Sequence, residues 1–382
     1  MDFDLSEEQQ LLKDSLSRLL ADHCSFEQRH TYAKEPDGWS RALWARYAEL
    51  GVLGVSFEER HGGLGAGAVE TMVVMEALGR ALAPEPYLAT VVLAGGCLRH
   101  GGSDAQKAQL VPKIADGSLI LALAHGERQS RYDLADVQTT AKRDGNGWVL
   151  NGEKGVVLHG DSADKLVVSA RLGGKRRDRA GLALFLVDAN ASGVTRRGYP
   201  TVDGLRAAEI TLAAVRVGSD AILGEPGQAL PVIERVVDDA IAALAAESIG
   251  VMAVMHEATV EYLKTRKQFG TTIGSFQVLQ HRAVDMLVML EQARSMALYA
   301  TVMAADENTV ERRKAMAAAK VQIGRSGKFV GQQAVQLHGG IGMTAEYKVG
   351  AYFKRMTMID TLFGPADHHL AQLAKTDGLV PA

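Results

Sequence analysis

The chain has 382 residues, of which 47% are hydrophobic and 23% charged, and its formal net charge is -3. These proportions are ordinary for a globular protein, and the near-neutral charge gives no electrostatic reason to expect nucleic acid or a membrane as the main partner. The length predicts two or three domains, or one large fold with segregated layers.

The cysteine content and the N-terminal sequence bear on the cellular compartment of the protein. Cys24 and Cys97 lie in neither a CxxC nor a Cys/His spacing, which disfavours a zinc site. So few thiols in a long chain fit a reducing environment. The acidic N-terminus lacks the basic region and apolar block of a secretory signal, and charges interrupt each apolar stretch before the ~20 residues that a membrane span needs. A cytoplasmic protein is expected.

Residues 1–118 predict an N-terminal, all-helical domain. In SEEQQLLKDSLSRLLADHC the leucines recur every three or four residues, and Ser6 is suited to be the N-cap. TMVVMEALGRAL predicts a second helix, and EERHGGLGAG between them predicts a bend. Gly63 and Gly65 lack the later glycine of GxGxxG and no strand precedes them, so a dinucleotide-binding loop is disfavoured.

In residues 119–228 the helical spacing of apolar residues gives way to short β-rich runs. This segment predicts a middle domain with an antiparallel β-sheet, either a barrel or a sandwich. Turn signals such as DGNG at 144–147 separate the short β-rich runs, and helices do not alternate with them. The predicted strands lie in LILALAHGE, VQTTAKRD, GWVLNGEKGVVLHG, KLVVSAR, GLALFLVDA and AAEITLAAVRV. Residues 229–382 return to long apolar-periodic stretches, which predict a C-terminal helical bundle able to form an oligomer interface.

Two clusters in the last third resemble signatures of the acyl-CoA dehydrogenase family. Residues 266–280, RKQFGTTIGSFQVLQ, are similar to RxxFGxxIxxFQ, and residues 336–347, QLHGGIGMTAEY, are similar to QxxGGxGxxxEY. EERHGGLGAG, EALGR and NGEKGVVLHG are similar to weaker motifs of the family, in the same order. The resemblance therefore covers the whole chain and implies the family's fold, a mainly α protein with a central β domain.

The resemblance also implies a reaction, a cofactor and partners. The family removes a proton from Cα and a hydride from Cβ of an acyl-CoA, uses FAD, and passes electrons to an acceptor such as an electron-transfer flavoprotein. In a homo- or heterotetramer, one subunit contributes contacts to the FAD of its neighbour. Guanidinium matches a diphosphate, and glycine lets the backbone approach a ligand. The implied cofactor contacts are Arg266, Phe269, Phe276, Gln277, Gln336, Gly339 and Gly340.

The segments that would hold the chain's own flavin depart from the family's pattern. Where the family has a TEPxxGSD-like loop, residues 124–133 read AHGERQSRYD, without the Thr and the Gly-Ser pair. Where the family's hairpin reads WITN, Val156 replaces the Trp that covers the flavin ring and Leu158 replaces the Thr that bonds near N5. These changes argue against a complete flavin pocket in this chain and favour FAD at an intersubunit site.

No carboxylate stands where the resemblance implies a catalytic base. Phe363 takes the place of the glutamate in the segment TLFGP, and Ala240 aligns with the alternative base position. Asp239 is the candidate base if the helix register differs, since one residue rotates a side chain by ~100°. Asp238 matches an aspartate near the substrate's pantetheine. Otherwise, both aspartates are expected on a solvated helix face, near the positive end of the helix dipole.

Three functions stay open: a partner subunit that completes the FAD site of a catalytic subunit, a self-sufficient dehydrogenase with Asp239 as base, and a flavin oxidase or monooxygenase. MDFDLSEEQ, EALGRALAPEPYLATVVL and YFKRMTMIDTLFG resemble the small subunit of pimeloyl-CoA dehydrogenases, which implies a dicarboxylyl-CoA substrate. Steroid or aromatic side-chain acyl-CoAs are the alternatives. The adjacent His368 and His369 lack further spaced ligands, so no metal site is expected.

Overall fold

A computed structural model describes residues 4–376 of the chain. These residues form two compact units. The helical unit comprises residues 4–30, 68–83 and 241–376, and the sheet unit comprises residues 31–67 and 84–240. The order of elements along the chain, helices then strands then helices, confirms the predicted fold class.

The predicted first helix begins where its cap sequence indicates. Ser6 Oγ accepts a hydrogen bond from Gln9 N (3.2 Å), and the Gln9 side chain accepts one from Ser6 N (2.9 Å), which completes a capping box. The N-terminal helices are α1 (Glu7–His23), α2 (Phe26–Tyr32), α3 (Arg41–Glu49), α4 (Ala68–Ala81), a π-helix (Leu88–Ala94), α5 (Gly95–Gly101) and α6 (Asp104–Ala115). The predicted glycine-rich bend lies directly before α4.

The later helices are long, as the apolar periodicity predicts. They are α7 (Leu230–Thr265), α8 (Gln277–Ala304), α9 (Thr309–His338), α10 (Lys348–Thr361) and α11 (Ala366–Thr376). Helix α7 contributes its first residues to the sheet unit and residues 241–265 to the helical unit.

Two glycines let α4 and α7 approach closely within the helical unit. A Cβ at Gly79 would lie 2.2 Å from Glu247 O, and one at Gly250 would lie 2.1 Å from Glu76 O, so any larger residue would push the helices apart. The buried guanidinium of Arg355 on α10 donates to both oxygens of Glu247 (2.5 and 2.8 Å). These contacts fix the middle of α7, the helix from whose end the first signature segment continues.

The sheet unit is built on one mixed sheet of predominantly antiparallel strands, in the order β6-β7-β3-β2-β4-β5-β8, with β1 beside β4. Its core combines aliphatic side chains with fully buried aromatic ones, namely Trp39, Tyr47, Phe57, Tyr87 and Phe185. The strands are β1 (Leu121–Ala124), β2 (Thr140–Asp144), β3 (Gly147–Leu158), β4 (Lys165–Arg171), β5 (Leu182–Asp188), β6 (Val194–Pro200), β7 (Arg206–Val217) and β8 (Ile222–Leu223).

Two details of the sheet differ from the expectation. Strand β1 pairs with β4 in parallel, Leu121 opposite Lys165, because residues 125–164 supply the long crossover that parallel neighbours require. Strand β6 is not predicted, because VTRRGYP carries few apolar residues. It lies at an edge of the sheet, where an exposed strand needs no continuous apolar pattern.

No helix among residues 4–376 is long and apolar enough to cross a membrane.

Candidate functional site

The first signature segment lies on the surface of the helical unit. Arg266 directly follows α7, and the short antiparallel strands β9 (Lys267–Gln268) and β10 (Thr271–Thr272) form a hairpin after it. Phe269 lies at the hairpin tip with φ +54° and is 91% exposed. Phe276, which caps α8, lies with its ring centroid 6.2 Å from that of Phe269. The hairpin thus presents two aromatic rings that contact each other edge to face.

The second signature segment is a turn at the end of α9. Gln336 lies exposed on the last turn of the helix, and Gly339 follows it with φ +65°, a conformation that favours glycine. Cβ atoms built on Gly339 and Gly340 meet no atom within 4 Å. The backbone of this turn is therefore open to an approaching molecule.

Three polar side chains of these segments are not used by the fold. Within residues 4–376, Arg266, Gln277 and Gln336 are exposed, and their side chains form no hydrogen bond or ion pair. A free guanidinium suits a diphosphate, the two amides can donate or accept hydrogen bonds, and the bare turn offers backbone groups. This donor set fits an anionic dinucleotide such as FAD.

In the sheet unit, the segment at the position of the family's flavin loop carries a buried acid that bonds to later parts of the same unit. The buried Glu127 carboxylate accepts hydrogen bonds from Gln138 N (2.7 Å), Thr139 N (3.0 Å) and Lys154 Nζ (2.7 Å). Burial acts to raise the pKa of Glu127, but the charge and hydrogen bond of Lys154 outweigh it and lower the pKa to about 2. Burial lowers the pKa of Lys154 to about 8 against the opposing effect of Glu127. Both groups are charged at pH 7.

Ser130 and His125 of this segment also bond inside the sheet unit, whereas Arg128 and Arg131 are exposed and their side chains form no hydrogen bond or ion pair within residues 4–376. Ser130 Oγ donates to Glu127 O (2.8 Å) and accepts from Glu127 N (3.2 Å). His125 Nδ1 lies 2.9 Å from Ser169 Oγ, and burial together with the charge of Lys154 lowers the pKa of His125 to about 3. The imidazole is therefore neutral and supplies no positive charge for a phosphate.

The hairpin at the end of β3 lacks a flat covering ring. Val156, at the position of the family's tryptophan, is 53% exposed with φ +52°, while Val157 is buried. The β3–β7 register shifts between Lys154 and Val157. An isopropyl group at Val156 cannot provide the stacking surface of an indole.

The two aspartates on α7 do not lie on a solvated face, so that expectation is wrong. Asp238 and Asp239 are both largely buried, and they lie beyond the first turn of a helix that begins at Leu230. The dipole argument fails for the same reason, since its effect is confined to the first turn. Tertiary packing of α7, which the local sequence does not reveal, buries them.

Asp239 lies among two arginines and a histidine within the sheet unit. Its carboxylate is 2.7 Å from Arg99 Nη2, 2.8 Å from His100 Nε2 and 3.2 Å from Arg235 Nε. Burial acts to raise the pKa of Asp239, but the hydrogen bond from His100 and the charges of the arginines outweigh it, and the pKa is lowered. A carboxylate paired with two arginines and bonded to a histidine is a weak proton acceptor.

The sequence analysis missed these neighbours of Asp239. Arg235 could have been found, because a pair spaced i,i+4 shares one helix face. Arg99 and His100 are distant in sequence and carry no local signal of this contact.

The segment at the position of the family's glutamate is firmly held but carries no acid. Lys320, fully buried, donates from Nζ to Ile359 O (2.6 Å), Asp360 O (3.0 Å) and Leu362 O (2.8 Å), which caps the end of α10. Phe363 follows with φ +59°, and His369 Nε2 lies 3.0 Å from Phe363 O. The turn thus presents a phenyl ring, which cannot accept a proton.

Three family models match the chain over almost its whole length. They are the acyl-CoA dehydrogenase N-terminal domain over residues 6–118, the middle domain over residues 122–215 and the C-terminal domain over residues 230–376.

Two related sequences illustrate the likeness. The probable acyl-CoA dehydrogenase YngJ of Bacillus subtilis is 28% identical over 358 residues, covering 91% of this chain and 92% of that protein. The acyl-CoA dehydrogenase FadE12 of Mycobacterium tuberculosis is 31% identical over 351 residues, covering 91% of this chain and 89% of that protein.

Solved structures agree. A variant of the steroid ACAD Tcur3481-Tcur3483 is 32% identical with a TM-score of 0.87, over 98% of both chains. The ChsE4-ChsE5 complex from Mycobacterium tuberculosis is 27% identical with a TM-score of 0.88, over 100% of both chains. The FAD complex of PigA is 25% identical with a TM-score of 0.90, over 99% of this chain and 100% of that one.

Proposed function

Because the chain belongs to the acyl-CoA dehydrogenase family of FAD-dependent oxidoreductases, we propose that it is the partner subunit of a heteromeric acyl-CoA dehydrogenase. In this role Arg266, Gln277, Gln336 and the turn at Gly339 complete the FAD site of a second, catalytic subunit. The observation that carries the proposal is a contrast in hydrogen bonding. The side chains of Arg266, Gln277 and Gln336 have no partner within residues 4–376, whereas the buried Glu127 carboxylate of the flavin-loop segment is bonded to Gln138, Thr139 and Lys154.

FAD supplies the hydride acceptor of the α,β-dehydrogenation, and a carboxylate must accept the proton from Cα. In this chain Phe363 occupies one base position and Asp239 is held by cations beside the other. The base of the active complex is therefore assigned to the other subunit. The task left to this chain is to bind and orient the cofactor through Arg266, the aromatic pair Phe269 and Phe276, and the Gly339 turn.

Helix α8 supplies a surface for such a partner. One face of α8 packs against α9, mostly through small residues, while its exposed face carries apolar residues interspersed with polar ones such as Asp285 and Glu291. The exposed apolar residues are Val278, Val284, Leu287, Val288, Tyr299 and Val302. Exposed apolar residues beside outward-pointing cofactor contacts support a subunit interface, and we infer a heterotetramer from the resemblance to the family.

The substrate proposal rests on the sequence. The resemblance to pimeloyl-CoA dehydrogenase small subunits supports a dicarboxylyl-CoA substrate, with Asp238 near its pantetheine. The same resemblance supports an electron-transfer flavoprotein-like acceptor for the electrons, in the cytoplasm. The likeness to a steroid ACAD supports a bulky acyl group as the alternative. Turnover assays of the complex with pimeloyl-CoA and with a steroid side-chain acyl-CoA decide between them.

The flavin content of the purified chain tests the partner-subunit role. The chain alone is expected to be colourless, and co-expression with a catalytic acyl-CoA dehydrogenase chain of its own genome is expected to give one FAD per pair. A yellow protein with about one FAD per chain in isolation would overturn the proposal in favour of a self-sufficient dehydrogenase. The matched control is the catalytic chain expressed alone, which is expected to retain FAD poorly.

A further inference from the structure

Three aromatic rings in the helical unit contact one another between the two signature segments. Tyr262 lies on the last turn of α7, His338 is the last residue of α9, and Tyr347 directly precedes α10. The ring centroid of His338 is 4.5 Å from that of Tyr262 and 4.9 Å from that of Tyr347. We call these three residues the aromatic cluster.

Hydrogen bonds fix the central ring in one tautomer. His338 Nδ1 lies 2.7 Å from Ala334 O, and because a carbonyl can only accept, Nδ1 carries the proton. Nε2 of the neutral ring is then an acceptor and receives the hydroxyl proton of Tyr347 at 3.2 Å. Burial lowers the pKa of His338, which favours this neutral form. Both ring nitrogens are thus used, and the imidazole cannot turn freely.

The aromatic cluster is joined by backbone to both sets of cofactor contacts. The amide of Arg266 donates to Tyr262 O (2.9 Å), so the start of the first signature segment follows the position of Tyr262. His338 is covalently followed by Gly339. A Cβ at Gly342 would lie 3.0 Å from the Cβ of His338, which shows that the turn folds back tightly onto this residue.

We propose that Tyr262, His338 and Tyr347 are positioning residues that set the spacing between Arg266 and the Gly339 turn, and thereby the fit of this surface to the diphosphate of FAD. The inference rests on the proposed function, in which this surface completes a partner's FAD site. None of the three residues is a catalytic residue, since they act through Arg266 and the turn. Preorganised contacts of this kind tighten binding because less ordering remains to be done on association.

The test uses the complex of this chain with its catalytic partner and free FAD as the probe. Flavin fluorescence measures the dissociation constant of FAD after removal and re-addition of the cofactor. Tyr347→Phe deletes only the hydroxyl that bonds Nε2 and is expected to weaken FAD binding by about 3- to 10-fold, as the loss of one hydrogen bond implies. His338→Leu removes both bonds of the ring, and its effect is expected to be larger.

A matched control removes a tyrosine hydroxyl elsewhere. Tyr199 Oη donates to Glu209 Oε1 (2.7 Å) in the sheet unit, so Tyr199→Phe loses a comparable bond that is not part of the aromatic cluster. Its effect on the dissociation constant of FAD is expected to stay within about 2-fold. Thermal melting of each apo-complex separates a general loss of folding from a loss of cofactor affinity, and Tyr347→Phe is the variant least able to disturb the fold.

A double-mutant cycle with Arg266→Ala distinguishes positioning from mere stability. If Tyr347 acts through Arg266, the double variant binds FAD no more weakly than Arg266→Ala alone, whereas independent effects multiply. Unchanged FAD affinity in Arg266→Ala would overturn the proposed function and the positioning role together. Weakened affinity in Arg266→Ala, with multiplicative or absent effects of Tyr347→Phe and His338→Leu, would overturn the positioning role alone.

Discussion

The surface of the helical unit and the flavin-loop segment of the sheet unit use polar groups in opposite ways. On the helical unit, Arg266, Gln277 and Gln336 point outward and have no partner within residues 4–376. In the sheet unit, Glu127 and Lys154 are buried and bonded to each other and to the surrounding backbone. The exposed groups of the helical unit are therefore available to a ligand, whereas Glu127 and Lys154 are already paired with each other.

The difference distinguishes polar groups that stabilise the folded chain from polar groups that are available to bind a ligand. A buried polar group must find a partner or it destabilises the folded chain, so the network around Glu127 is explained by folding alone. An exposed guanidinium and two exposed amides contribute little to folding, and their arrangement in a family signature calls for an external partner. The same reasoning explains why a chain can lose its own flavin pocket and keep its contribution to a neighbour's pocket.

The largest expected effect comes from breaking the network of the sheet unit. Lys154→Met leaves the buried Glu127 carboxylate without its counter-charge, and the free energy of unfolding is expected to fall by about 3–5 kcal/mol. Urea denaturation of the wild type and the variant measures this change in the free energy of unfolding. The double variant Lys154→Met with Glu127→Gln removes the uncompensated charge and is expected to recover most of the loss. A double variant as unstable as the single one would show that the pair matters through packing and not through charge.

The free energy of unfolding at acidic pH tests the same pair of Glu127 and Lys154. The pKa of Glu127 is lowered from 4.5 to about 2, so the unfolded chain takes up a proton at a higher pH than the folded chain. The contribution of Glu127 is complete above pH 4.5 and is lost as the pH falls toward 2, by about 3 kcal/mol at roughly 1.4 kcal/mol per unit. The stability advantage of the wild type over Lys154→Met should therefore shrink across this range. An advantage independent of pH would contradict the assignment.

The fold was predictable because its signals are local and repeated. The leucine spacing and Ser6 cap of α1, and the apolar runs of most strands, each report on their own segment. The edge strand β6 escaped because an exposed strand carries no continuous apolar pattern. The parallel pairing of β1 with β4 depends on contacts between residues far apart in sequence, and no local pattern encodes it.

The site was predictable where a motif names its residues and not where packing supplies the neighbours. Arg266 and the Gly339 turn follow from the signatures. The cations around Asp239 come from α5 and from one turn earlier on α7, and only Arg235 has a readable spacing. Tyr262 lies just before the first signature, and its contact with His338 brings together the ends of two helices.

A smaller effect is expected at the surface of the helical unit. Arg266→Ala in the complex is expected to weaken FAD binding by about 10- to 100-fold, the range for a charged hydrogen bond of 1.5–3 kcal/mol. The melting temperature of the isolated chain should not change, because the side chain has no intramolecular partner. Lys267→Ala is the matched control, since it removes an exposed cation from the adjacent position. Equal losses of FAD affinity in both variants would indicate general electrostatic attraction instead of a specific contact.

The smallest expected effect on turnover belongs to Asp239, which the partner-subunit role excludes from proton transfer. Asp239→Asn in the complex should change kcat by less than about 2-fold, whereas loss of a working general base lowers the rate by about 10²–10⁴-fold. Glu234→Gln is the control, because Glu234 also lies on α7 and pairs with an arginine, Arg179 (2.8 Å). A collapse of kcat in Asp239→Asn alone, with FAD content intact, would place the base in this chain despite its cationic neighbours. A complex that turns over normally without Asp239 leaves the proton to a carboxylate of the other subunit.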